Sequence, residues 1–342
     1  MPVNETPKTM VQSKAQSRGF CRDFLLWWNV IIVTPHHSML IWIILMACSM
    51  HLIPISVPFI LAYVVFCLLD STPAKGGWSF VREEWRSWAR DFFFFRWFAE
   101  FFEMDLIKTA ELDTSRRYIF AMHPHGIIGM TFNGALTTNG AGFERLFPGI
   151  ERVAVTLNGT FLAPIFREWL LFLGFVSADR ATLISQLKHK SIAMVPGGAA
   201  EALYAHPGTM TLVLRKRFGF IKVAMQSGAP IVPCLGFGEN DIFNTISPAA
   251  RSKSRKLPLS TWERFVWDSQ VAFKNTFTVS TPMITNVIPN RVKTAVVVGA
   301  PVEMDREKSV EENHAKYLEA LTNLYNEHKG KHGYGNVELE IV

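Results

Sequence analysis

From Ser38 to Leu69 the chain reads SMLIWIILMACSMHLIPISVPFILAYVVFCLL, with no Asp, Glu, Lys or Arg. One membrane-spanning helix needs about 20 such residues, so the run is too long for one span and short for two complete ones. Pro54 and Pro58 fall near its middle, where proline removes a backbone donor and crowds the preceding turn. The pattern predicts two helical arms joined by a prolyl bend, a membrane hairpin over residues 24–70 that enters and leaves by one face. Lys8, Lys14, Arg18 and Arg22 precede it, and Lys75, Arg82, Arg86, Arg90 and Arg96 follow. Basic residues on both sides keep both ends cytoplasmic. A buried hairpin in a soluble core is the competing reading of the same run. Residues 1–23 are polar without apolar periodicity and predict a disordered cytosolic tail.

In the following region, 71–110, EEWRSWARDFFFFRWFAEFF sets Trp85, Trp88, Phe92 and Phe95 at steps of three and four. That spacing predicts one aromatic helical face, suited to a headgroup zone or to the protein's own core. From Arg117 the pattern changes to short apolar runs at 118–123, 152–157, 191–197, 230–238 and 294–301. Helical patterns at 183–190 and 220–228 lie between them. Strands alternating with helices predict an α/β fold over 111–342, with a mixed, largely parallel sheet flanked by helices. Ligands of such sheets bind beyond the carboxyl ends of the strands. Residues 242–292, with Arg251, Lys253, Arg255 and Lys256 and a Trp/Phe-rich stretch, interrupt the alternation as a lid or a second membrane contact. A last helix is signalled by Ser309 as N-cap, early acids, Lys329 and Gly330.

Composition sharpens this picture at three points. Mean hydropathy is +0.16, unusual in a purely soluble chain of 342 residues. The net charge of +6 suits an anionic membrane face or a phosphorylated ligand. No zinc-finger spacing or RNA-binding signature accompanies it, so nucleic acid is not an expected partner. Cys21, Cys48, Cys67 and Cys234 form no CxxC pair and suit free thiols in a reducing compartment.

The chemistry gathers at two strand ends. His123-Pro124-His125-Gly126 follows the 118–123 run. Pro124 restricts the backbone around it, and Gly126 permits a tight turn. The two imidazoles are thus held in a defined relation. One can serve as general base while the other secures the turn. Between Gly126 and Arg145 the only residue among His, Cys, Asp and Glu is Glu144, which argues against a metal site. The second stretch is VPGGAAEAL, 195–203. There the Gly197 and Gly198 amides could face an oxyanion, and Glu201 could orient an imidazole. Arg167, Arg180, Arg215, Lys216 and Arg217 are candidates for cosubstrate phosphates. No nucleophile elbow and no Walker A loop is present. A base without a nucleophile suits direct attack by a substrate hydroxyl on an activated acyl group.

HPHGIIGM, NGTFLAPIFREWLLFLGFVSADR, PGGAAEAL, RFGFIKVAMQSGAPIVPCLGFGEND and VVVGAPV, in that order, resemble the type-2 diacylglycerol acyltransferases, a family that includes monoacylglycerol and wax-alcohol acyltransferases. The resemblance implies transfer of an acyl group from acyl-CoA to diacylglycerol, without cofactor. It also implies a membrane protein of the endoplasmic reticulum and lipid droplet with a cytosolic catalytic domain. It implies His125 and His123 with Glu201 as catalytic residues, supported by Gly126, Gly197 and Gly198; Asn133 is a further candidate, beside the Gly197–Gly198 amides, for stabilising the oxyanion. It further implies Arg217, Glu239 and Asn240, within the family's Arg-x-Gly-Phe and Phe-Gly-Glu-Asn blocks, as part of an acyl-CoA site. Two departures stand out: Phe218 replaces a frequent Lys, and Ile128 and Met130 occupy the positions where broader glycerolipid acyltransferases carry the aspartate of a local dyad. His125 is the expected base because Pro124 constrains His123 more tightly. The other readings are a monoacylglycerol or long-chain-alcohol acceptor, and a non-catalytic lipid-binding scaffold of droplets. A homo-oligomer stays open, and the final VELEIV looks like an endoplasmic-reticulum retrieval signal.

Overall fold

The computed structural model describes residues 53–77, 81–163, 166–246, 259–277, 280–286 and 288–342. The predicted polar tail, the first hairpin arm and the basic cluster Arg251 to Lys256 lie outside the described residues.

Eleven strands are described. β1 is Asp105–Lys108, β2 Ile119–His123, β3 Arg152–Thr156 and β4 Val176–Ser177. β5 is Ser191–Met194, β6 Met210–Leu212, β7 Ile231–Phe237 and β8 Thr245–Ile246. β9 is Met283–Ile284, β10 Ala295–Val298 and β11 Leu339–Ile341. Seven of them form one sheet in the order β1-β10-β7-β2-β5-β3-β4. From β7 to β4 every neighbour is parallel, while β10 runs antiparallel to β7 and carries β1 parallel to itself. The five apolar runs expected to be strands are the five central strands of this sheet. Their continuous apolar character follows from burial on both faces. Along β2, Phe120 and Met122 enter one core and Ile119 and Ala121 the other, the two-residue alternation of a pleated strand.

Helices cover both faces. Three lie on the side of Phe120: α2, Glu83–Arg90, α3, Phe93–Phe101, and α4, Phe166–Leu173. On the side of Ile119 lie α5, Arg180–Gln186, α6, Gly219–Ser227, and α8, Val310–His328. Between α6 and α8 comes α7, Thr261–Phe277. The expected Ser309 cap is a complete capping box: Ser309 Oγ accepts from the Glu312 amide at 3.1 Å, and the Ser309 amide donates to Glu312 at 2.8 Å.

The first described helix, α1, is Ile53–Leu69 and contains Pro58. The helix does not break at Pro58: Pro54 lies in the first turn, where no intrahelical partner exists, and Pro58 forfeits only one bond, to the carbonyl four residues back. Val57–Lys75 is long and apolar enough to cross a membrane, and Phe59 and Leu69 are largely exposed. Asp70, just past α1, ion-pairs with the buried Arg167 of α4.

The single aromatic face expected over 83–102 is corrected. The helix breaks at Asp91–Phe92, so Trp85 and Trp88 face outward while Phe95 and Phe98 enter the core. Within the same region β1 forms, which no periodicity announced. The final VELEIV contributes β11, paired parallel with β6. Those residues satisfy a neighbouring strand as well as carrying a retrieval-like sequence.

Candidate active site

Because β2, β5, β3 and β7 are parallel, their carboxyl ends meet at one edge of the sheet. The HPHG turn leaves β2 there, the Gly197–Gly198 turn leaves β5, and Gly238–Glu239 leaves β7. Neighbouring strands thus bring together three segments that are 40 or more residues apart in the chain.

His123 ends β2 and is fully buried. Its Nε2 shares a hydrogen bond with the Tyr317 hydroxyl of α8 at 2.8 Å, and its Nδ1 is buried without a partner. Burial alone pushes its pKa down to about 3, so the ring stays neutral. The His123–Pro124 peptide is cis.

His125 is only half-buried, which makes it the histidine a substrate can reach. Its Nδ1 lies 3.1 Å from the Gly126 carbonyl. Donation to that oxygen selects the Nδ1–H tautomer and leaves the Nε2 lone pair free to accept a proton. Burial lowers the His125 pKa, and the Gly126 carbonyl partly offsets it. The imidazole is therefore neutral and ready to accept a proton at neutral pH.

Glu201 does not meet the imidazole, as its sequence position suggested. Its Oε2 accepts from the backbone amide of His125 at 2.7 Å, and its Oε1 accepts from the Val213 amide at 2.9 Å. A carboxylate with an amide on each oxygen ties the HPHG turn to the end of β6. Burial raises its pKa to about 7, against the lowering effect of those two amides and of Arg217. A side chain on Gly197 would overlap this carboxylate, so glycine there makes room for the clamp.

A second buried carboxylate closes the turn from the β7 side. Glu239 accepts from the Met130 amide at 3.0 Å, the Thr131 amide at 2.6 Å and the Thr131 hydroxyl at 2.6 Å. Gly126 has φ +61°, and a side chain there would run into Glu239. Burial raises the Glu239 pKa to about 7, against the three Met130 and Thr131 donors. Asn240, also buried, donates to the Thr209 carbonyl at 3.0 Å.

Several expected ligand contacts are redistributed. Glu239 and Asn240 hold the loops of the site from inside and are closed to a soluble cosubstrate. Arg167 is likewise fully buried, paired with Asp70 and with Glu168 at 2.8 Å; it joins α1 to the body. Arg180 stands exposed in the first turn of α5. Arg215 and Arg217 are exposed on the segment that Glu201 anchors, and Arg217 donates to the Gly197 carbonyl at 3.3 Å. Of the expected arginines, Arg217 is the one that touches the site.

Among the oxyanion candidates, the Gly198 amide already donates to the Val195 carbonyl at 3.1 Å. That leaves the Gly197 amide and Asn133. Asn133 opens a π-helical turn, Asn133–Thr137, a local widening frequent at functional sites, and its amide reaches the Ile128 carbonyl at only 3.4 Å. Tyr317 escaped the sequence reading: in KYLEALTNL it looks like any core position of an amphipathic helix. Among the described residues, no group of three or more His, Cys, Asp and Glu side chains is placed to hold a metal ion.

This arrangement of a tethered histidine at a parallel-sheet edge coincides with a match over most of the chain. The profile of the diacylglycerol acyltransferase family matches residues 49–342. The chain belongs to that family. A diacylglycerol O-acyltransferase 2A of Umbelopsis ramanniana is 33% identical over 93% of this chain and 88% of its own length. A diacylglycerol O-acyltransferase 1 of Schizosaccharomyces pombe is 33% identical over 80% of this chain and 79% of its own. A mouse 2-acylglycerol O-acyltransferase 1 is 36% identical over 79% of this chain and 81% of its own. Among solved structures, the 1-acyl-sn-glycerophosphate acyltransferase PlsC of Thermotoga maritima aligns with a TM-score of 0.41 at 14% identity, covering 87% of this chain and 93% of its own. Acyl transfer to glycerolipids is the family's activity.

Proposed function

We propose that this protein is an acyl-CoA:diacylglycerol O-acyltransferase with His125 as its general base. The observation that carries the reading is the reachable His125 ring, its Nδ1 at the Gly126 carbonyl and its Nε2 left basic. Nε2 takes the proton from the free hydroxyl of diacylglycerol as that oxygen bonds to the thioester carbonyl carbon. The tetrahedral oxyanion is met by the Gly197 amide or the Asn133 side chain. Collapse breaks the carbon–sulfur bond, and the imidazolium returns the proton to the departing CoA thiolate. General-base assistance of this kind is worth about 10²–10⁴-fold. The route uses neither a metal nor an acyl-enzyme. Arg217 and Arg215 bind the phosphates of acyl-CoA at the mouth of the site. The reaction runs on the cytosolic face of the endoplasmic-reticulum membrane and on the droplet surface, with α1 as anchor.

One specific observation favours a second acceptor: the mouse relative is named a 2-acylglycerol O-acyltransferase, so monoacylglycerol is the alternative. Membranes from a host without triacylglycerol synthesis, given labelled oleoyl-CoA with diacylglycerol, monoacylglycerol and hexadecanol together, separate the readings. The proposal expects label in triacylglycerol. Label mainly in diacylglycerol or wax ester reassigns the acceptor, and no label favours a scaffold.

A further inference from the structure

The segment between β7 and β10 contains a helix whose two sides differ in chemistry. The inner side of α7 is tied to the catalytic body. Trp267 packs on Tyr204 with ring centroids 5.2 Å apart, and Gln270 is buried and donates to the Thr281 carbonyl at 2.8 Å. Ser280, just beyond α7, donates to the Ala199 carbonyl, and Thr245 of β8 donates to the Ala205 carbonyl at 2.7 Å. Ala199 opens the helical turn that carries Glu201, so this unit rests directly on the clamp of the HPHG turn.

Its outer side exposes aromatic rings. Trp262 is 70% exposed and Phe265 62%, their rings stacked with centroids 5.6 Å apart. At 100° per residue, Trp262, Phe265, Ser269, Ala272, Phe273 and Thr276 share one arc of α7 that contains no charge. Arg264 and Asp268 fall outside that arc. Met283 and Ile284 of β9 are also exposed. An uncharged arc with exposed aromatic rings, beside charged positions, is the pattern of a helix lying in a bilayer interface.

Topology indicates what covers it. α7 follows the carboxyl end of β7, while α1 packs beside residues 158–162, which follow the carboxyl end of β3. Leu162 in that contact segment is itself 54% exposed. In the sheet, β7 and β3 flank β2 and β5, and all four strands end at the same edge. The apolar α1 and the uncharged face of α7 therefore belong to the same edge of the molecule, on either side of the strands that carry His125 and Gly197.

We propose that the outer face of α7, with β9, is a second lipid-contacting surface, seated on the same bilayer as α1. The catalytic opening between them then faces the membrane, where an apolar acceptor is dissolved. Lipid contact at α7 bears on the Glu201 turn through Ser280 and Trp267. This surface is independent of the identity of the acceptor and of the base.

The test uses the full chain in nanodiscs, with Cys21, Cys48 and Cys67 replaced by serine and a pyrene-maleimide label on Trp262→Cys or, separately, Phe265→Cys. Glu327→Cys, at an exposed position of α8, is the control, and retained acyl transfer certifies each fold. Nitroxide lipids are expected to quench the labels at 262 and 265 by about twofold or more and to leave the label at 327 unchanged. Excimer emission between copies would assign the face to self-association and overturn the proposal. Equal, weak quenching at all three positions would overturn it as well. Neither readout depends on which acylglycerol is acylated.

Discussion

The carboxylate of Glu201 holds His125 by its backbone, 2.7 Å from the amide nitrogen, and leaves the imidazole to the Gly126 carbonyl. The division matters because orientation of the ring and position of the turn become separate functions. Glu201 fixes where the turn lies, and Gly126 fixes which nitrogen is basic.

Glu201→Gln keeps the shape but sets an amide N–H against one of the two buried backbone donors. An unsatisfied buried donor costs about 1–3 kcal/mol, so kcat is expected to fall about tenfold or more with the KM for acyl-CoA little changed. The pH profile adds a sign. The wild-type Glu201 must be ionised to hold both amides, and its pKa lies at about 7, so its clamp weakens as pH falls through 7. His125 is shifted below the ordinary 6.5 and loses basicity only at lower pH. In Glu201→Gln the acid limb of kcat/KM is expected to move down to the His125 region. A limb that stays put means Glu201 does not titrate in the wild type.

Tyr317→Phe deprives His123 Nε2 of its recorded partner, when Nδ1 already lacks one. Unfolding free energy is expected to drop by about 1–3 kcal/mol, and the acid limb of kcat/KM, which follows Glu201, to remain where it was. His123 itself, with its pKa near 3 in the fold against an ordinary 6.5, favours the folded state above pH 6.5. That contribution is lost as pH falls from 6.5 toward 3.

Gly126→Ala meets two obstacles together: a left-handed φ of +61° and the buried Glu239 carboxylate. Loss of acyl transfer is expected in membranes that still contain the protein. Glu239→Ala opens the space and leaves the Met130 and Thr131 amides unpaired, so it is expected not to restore the rate.

The arginines separate into two kinds. Arg217→Ala is expected to raise the KM for acyl-CoA several-fold, with a smaller difference from wild type at high salt, where charge attraction is screened. Arg167→Ala leaves Asp70 without its ion pair at the junction with α1 and is expected to lower stability by about 3–5 kcal/mol. Thermal unfolding in detergent checks the second and initial rates the first.

The five central strands were legible because burial on both faces writes itself as unbroken apolar runs, and the HPHG turn was legible because it closes one of them. The short edge strand β1 and the strand β11, which pairs with β6 outside the main sheet, were not, since their pairing depends on neighbours far along the chain. Glu201 was singled out correctly as a residue of this edge but given the wrong target. A helical-turn position does not tell whether a carboxylate will meet a ring or an amide. Arg167 was misplaced for a related reason, because its partner Asp70 is distant in sequence and belongs to a segment expected in lipid. Tyr317 gave no signal at all, its hydroxyl being invisible to a pattern that counts only apolar positions.

The most direct test compares CoA release by wild type, His125→Ala and His123→Ala, in membranes of equal protein content, with oleoyl-CoA and diacylglycerol supplied. A fall of about 10²-fold or more is expected for His125→Ala in a protein that unfolds at the wild-type temperature. For His123→Ala the expected loss tracks reduced stability. Full rate in a folded His125→Ala would contradict the assignment of the base.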